Sequence, residues 1–215
     1  MAQALAPVVY LAAGLLAWSG IAKGLRPAPA ADALRLAGLP AHTALVRALA
    51  GWELVVGLAC LLRPATASMF ALCATYLAFA GYLEYVIRTR PGSGSCGCTG
   101  ADRVPPSRLH VALDLVAAAA AAMAIVVPVS SLPAFASSLG PLAVPFLGGL
   151  VLAGYLAWAA VRLVPEAFAS YRGGEGHAHE RVRGNRHRRA DSVLAAAGIG
   201  PGHPSLWGGA EATKG

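Results

Sequence analysis

From Leu109 to Val161 the chain contains no Lys, Arg or Glu, and its only titratable side chains are His110, Asp114 and Tyr155. A stretch so long and so apolar has few homes other than a bilayer. It also exceeds the roughly 20 residues that one helix needs to cross. Pro128, Pro133, the Gly140-Pro141 pair and the serines between them break it into spans at about 109–127 and 142–164. Three further apolar runs, at about 5–22, 44–62 and 65–87, are each near spanning length. The chain is 57% hydrophobic and 13% charged, with a mean hydropathy of +0.60; soluble domains average about 25% charged residues. In lipid, backbone groups are satisfied only by helices or closed barrels, and these Ala/Leu/Val runs do not alternate. The expected fold is therefore all-α. It is a polytopic transmembrane helical bundle, a four-helix core plus a fifth span, filling residues 1–164. Residues 165–215 are rich in Gly, Arg and His, and are expected to form a disordered basic tail.

Charge placement predicts the orientation. With five spans, the loops after spans one and three share a side with the tail. That side and its helix ends carry every basic residue except Arg63. The positive-inside rule makes it cytoplasmic. No basic n-region precedes the first apolar run and Lys23 follows it, so no removable signal peptide is expected.

The loop between spans three and four holds Ser95-Cys96-Gly97-Cys98-Thr99-Gly100. Closing a disulfide across one residue forces it from its preferred geometry, and a strained bridge is more easily reduced. Gly97, without a Cβ, suits so tight a ring. Cys96 and Cys98 are thus candidates for a redox pair that exchanges with a soluble thiol partner. Cys60 and Cys73 lie inside apolar spans at different depths and read as packing residues. In the tail, His177, His179 and His187 could join the two thiols around zinc or copper, but the intervening sequence fixes no geometry. No metal site is predicted. The Arg181–Arg189 run suits an anionic lipid surface or water better than nucleic acid.

Ionisable residues within spans are costly and usually face the bundle interior. Lys23, Glu53, Glu84, His110 and Asp114 all fall in the leaflet beside the Cys-Gly-Cys loop, which suggests a polar cavity beneath it. Each also has a plainer role. Glu84 and Arg88 have the spacing of an interfacial ion pair. Lys23 can snorkel to the headgroups or serve as a buried partner for Glu53. His110 and Asp114 can pair on one helix face.

Ser19-Gly20-Ile21-Ala22-Lys23, then Trp52-Glu53 with Gly57, then the Cys-Gly-Cys loop before a helix bearing Asp114, together resemble the MauE family of methylamine-utilisation membrane proteins, relatives of the DoxX group. The resemblance covers about residues 5–128. It implies a part in maturing methylamine dehydrogenase, whose small subunit needs many disulfides. Cys96 and Cys98 would then be the redox pair, with a thioredoxin-like protein and an amine dehydrogenase subunit as the partners that the resemblance implies. Family chemistry is expected outside the cytoplasmic membrane, opposite to the side that charge placement predicts.

The expected function is thiol–disulfide exchange or electron transfer on behalf of a partner protein, an oxidoreductase-like activity. Lys23, Glu53, His110 and Asp114 form the supporting polar cluster. No cofactor is predicted, and the sequence leaves open whether a quinone is used. Two other classes stay open: a membrane scaffold with a static Cys-Gly-Cys bridge, and a small-molecule or metal transporter using the polar cavity.

Overall fold

The computed structural model describes residues 2–89, 107–160 and 163. It is helical throughout, with no strand among the described residues. The elements are α1 (Ala2–Leu25), α2 (Pro27–Leu36), α3 (Thr43–Leu62), α4 (Thr66–Thr89), α5 (Arg108–Val126) and α6 (Leu132–Leu139). A 3₁₀ turn, Gly140–Leu142, leads from α6 into α7, residues 143–160. Helices α1, α3, α4 and α5, together with the α6–α7 segment Leu132–Ala160, are each long and apolar enough to cross a membrane. The protein is a multi-pass α-helical membrane protein. Cys96, Cys98 and the tail 165–215 lie outside the described residues.

The core is built mainly from small residues. Helix α1 packs along α3, and α4 along α5, while α1 also meets α5 to close the four-helix arrangement. Alanines 117, 118, 120, 121 and 124 turn one face of α5 inward, against Val9, Ala13 and Leu16 of α1 and Met69, Leu72 and Tyr76 of α4. Lipid tails are as apolar as leucine, so helix association in a bilayer rests on close packing and hydrogen bonds. Tyr76 supplies one such bond, donating its hydroxyl to the Ala12 carbonyl at 2.7 Å. Tyr10 donates to the Ser130 carbonyl at 2.8 Å and anchors the turn before α6.

Two features differ from the sequence expectation. The segment between the first two spans, expected as a loop, contains α2. Pro27 opens the helix, where its missing N–H and fixed φ are no handicap. Ala30 and Ala31 of α2 pack against Val46 of α3, and the Arg35–Asp32 ion pair faces outward. A Schellman motif ends the helix: Leu39 N–H donates to the Leu34 carbonyl and Gly38 N–H to the Arg35 carbonyl, with Gly38 at φ 76°. The second difference is that helix resumes at Leu132 rather than near 142. Ser131 Oγ caps it by accepting from Ala134 N–H, and Pro133 falls in the first turn.

Candidate functional site

The site begins with a close helix crossing. A Cβ on Gly20 of α1 would sit 2.6 Å from the Ala50 carbonyl oxygen, and one on Gly57 of α3 would sit 2.6 Å from the Ala13 oxygen. Neither position accepts a side chain without moving backbone. The two glycines, with Ala13, Ala17 and Ala50, bring α1 and α3 together as small residues do in membrane helix pairs.

That proximity lets Lys23 reach Glu53. Lys23 Nζ lies 2.5 Å from Glu53 Oε1 and 2.7 Å from Oε2, and both residues are buried. Ser19, one turn before Lys23, accepts a third hydrogen bond from Nζ at 2.9 Å. The Phe79 ring of α4 covers the ammonium, 5.0 Å from its centroid. Charge, donors and acceptors are thus matched inside the bundle, and Lys23 does not snorkel.

His110 and Asp114 stand elsewhere. They line a cavity of about 210 Å³ walled by α1, α4, α5 and α7. His110 is buried near the start of α5, with Nδ1 2.9 Å from Ser107 Oγ. Its Nε2 is buried and has no hydrogen-bond partner among the described residues. Most of the remaining lining is apolar or aromatic, including Leu11, Leu15, Trp18 and Trp158. The expected polar cluster is therefore divided. Lys23 and Glu53 close on each other, while His110 and Asp114 belong to a largely apolar chamber. Ser19 and Phe79 touch both.

Glu84 and Arg88 form the expected i,i+4 pair at 2.7 Å, with Arg88 exposed. Cys60 is buried in the core, its thiol donating to the Ser68 carbonyl at 3.3 Å, and Cys73 packs against the same core. Both are free thiols. Sequence reasoning missed Ser19, Phe79 and the aromatic cavity. Ser19 carried a signal, since its i,i+4 spacing to Lys23 puts both on one helix face. Phe79 carried none, because its role depends on how α4 packs.

The comparison with known families decides the kinship. The model of the methylamine utilisation protein MauE matches residues 1–127. The chain belongs to the MauE family. The match takes in α1 to α5, including the Lys23–Glu53 crossing and both helices that flank the Cys-Gly-Cys segment. The α6–α7 segment of this MauE-family protein lies beyond it. No curated protein and no solved structure matches the chain.

Proposed function

We propose that this MauE-family protein carries out thiol–disulfide exchange at the membrane, with Cys96 and Cys98 as the exchanging pair. The observation that carries this reading is the Cys-Gly-Cys sequence between the end of α4 and the start of α5. Family membership supports a setting in methylamine utilisation. The partner in this reading is a thioredoxin-like protein, serving disulfide formation in an amine dehydrogenase subunit.

In the exchange, a thiolate of one cysteine attacks a disulfide sulfur of the partner and expels the partner's other sulfur as a thiolate. The second cysteine then attacks the mixed disulfide and releases the partner. The pair loses two electrons and two protons, and the partner disulfide becomes a dithiol. The reverse sequence oxidises the partner. The matched Lys23–Glu53 pair supports a structural part for those two residues, holding α1 and α3 together.

The test uses the full chain in detergent, incubated with an oxidised thioredoxin-like protein and then labelled with a maleimide that adds mass. Wild type should lose two labels as the bridge forms. Cys96→Ser or Cys98→Ser should abolish that two-label loss, because the remaining thiol can form only a mixed disulfide that the expelled partner thiolate reverses. A pair that keeps both labels at every partner ratio would refute exchange, and one that resists reductant would identify a static bridge.

A further inference from the structure

The cavity beside His110 has the form of a site for a molecule that is polar at one end and apolar along its length. From Val8 to Ser19 its α1 wall extends about 16 Å at the helical rise of ~1.5 Å per residue. Ser19, His110 and Asp114 supply its polar groups. Val8, Leu113 and Val116 belong to its lining and are also exposed on the outside of the bundle, the surface that lipid covers. A ligand would arrive through the bilayer.

His110 is the recognition element. Burying an imidazole nitrogen without a partner costs free energy, and Nε2 is such a nitrogen among the described residues. Ser107 gives the ring a useful freedom. If Ser107 donates its hydroxyl proton to Nδ1, Nε2 carries a hydrogen and donates to a carbonyl. If Nδ1–H donates to Ser107, Nε2 accepts from a hydroxyl. The same residue thus fits an oxygen in either its carbonyl or its hydroxyl form.

The rest of the lining narrows the class. Trp18, Tyr76, Phe79 and Trp158 offer aromatic surfaces to a flat ring. A phospholipid headgroup is disfavoured, because no Lys or Arg is among the described lining residues to meet its phosphate. At about 210 Å³ the cavity is smaller than the roughly 300–1,000 Å³ that encloses a whole drug-sized ligand. It suits a ring headgroup whose tail stays in the lipid.

We infer that the chamber between α1, α4, α5 and α7 binds a lipid-soluble quinone or quinol, with His110 Nε2 hydrogen-bonded to a ring oxygen. Binding depends only on the described residues and stands apart from the thiol chemistry proposed above, so either can fail alone.

The experiment is fluorescence quenching of the full chain in phosphatidylcholine nanodiscs by a decyl-substituted benzoquinone. Of the four tryptophans, Trp52 and Trp207 are replaced by phenylalanine, leaving Trp18 and Trp158 as reporters. Quenching should saturate. His110→Leu should weaken binding roughly tenfold, the value of one hydrogen bond of about 1.4 kcal/mol, and His110→Gln should restore most of it. Ala157→Phe, which fills the chamber from the partly exposed face of α7, should abolish saturation while circular dichroism stays unchanged. Should His110→Leu fail to fold, Ala157→Phe and His110→Gln still decide. Non-saturating quenching, equal binding in Ala157→Phe, or full competition by decanol would overturn the proposal, the last identifying a groove for acyl chains.

Discussion

Gly20 lies against Ala50 so closely that the distance from its missing Cβ to the Ala50 carbonyl oxygen would be 2.6 Å. Real side chains do not approach backbone oxygen like this. Gly20→Ala must therefore push α1 and α3 apart and strain the Lys23–Glu53 contact. We expect a loss of about 1–3 kcal/mol, the usual range for overpacking, measured as a lower thermal midpoint in detergent. Gly24→Ala, with nothing within 4 Å of its added Cβ, should leave the midpoint unchanged or slightly raised.

The Lys23–Glu53 pair predicts a strongly non-additive cycle. Removing one partner of a buried pair leaves the other charge uncompensated, at a cost of roughly 3–5 kcal/mol, whereas replacing both with apolar residues can be nearly neutral. Glu53→Gln and Lys23→Met should each reduce the folded yield and thermal midpoint sharply. Lys23→Met with Glu53→Leu should recover most of the loss. Additive losses in the double variant would assign the two residues independent roles.

Tyr76 tests the contact between α1 and α4. Tyr76→Phe keeps the ring and removes the donor to the Ala12 carbonyl. A loss of about 0.5–1.5 kcal/mol is expected, read from the same melting curves, with no change in the labelling of Cys96 and Cys98.

Cys60 and Cys73 should be silent in exchange. Cys60 is committed to the core and to the Ser68 carbonyl. Cys60→Ala with Cys73→Ala should retain the full two-label shift on oxidation, though with reduced stability from the cavity left at Cys60. Disappearance of the shift would move the redox chemistry into the bundle.

Orientation is testable without purification. The basic bias toward the ends of α1 and α4 predicts a cytoplasmic Cys-Gly-Cys loop. An impermeant maleimide should then label Cys96 only after cells are opened. Labelling of intact cells would place the pair outside, where the family chemistry is expected.

The spans were legible in the sequence because length and apolar composition are local properties, and α5 begins and ends within one residue of expectation. The Lys23–Glu53 partnership was legible as one option, since both residues stand at matching depth. Other features needed the third dimension. Helix α2 is only ten residues long, too short to register as a span, and its inward face shows only once α3 packs beside it. Matching depth also made Glu53 and His110 look like members of one cluster. Depth fixes height in the bilayer but not the direction around a helix axis, and Ser19 and Phe79 stand where the two sets divide.

The buried ion pair carries an implication for how the chain enters the membrane. When α1 emerges from the ribosome, Lys23 has no Glu53 to meet, because α3 is not yet made. Its ammonium must wait among the headgroups, and α1 must sit shallow. Once α3 arrives, the carboxylate draws Lys23 inward and the glycine faces of the two helices meet. The first two spans are thus built to be committed together, as one hairpin, and a released chain that ends before α3 should leave α1 extractable by alkaline carbonate.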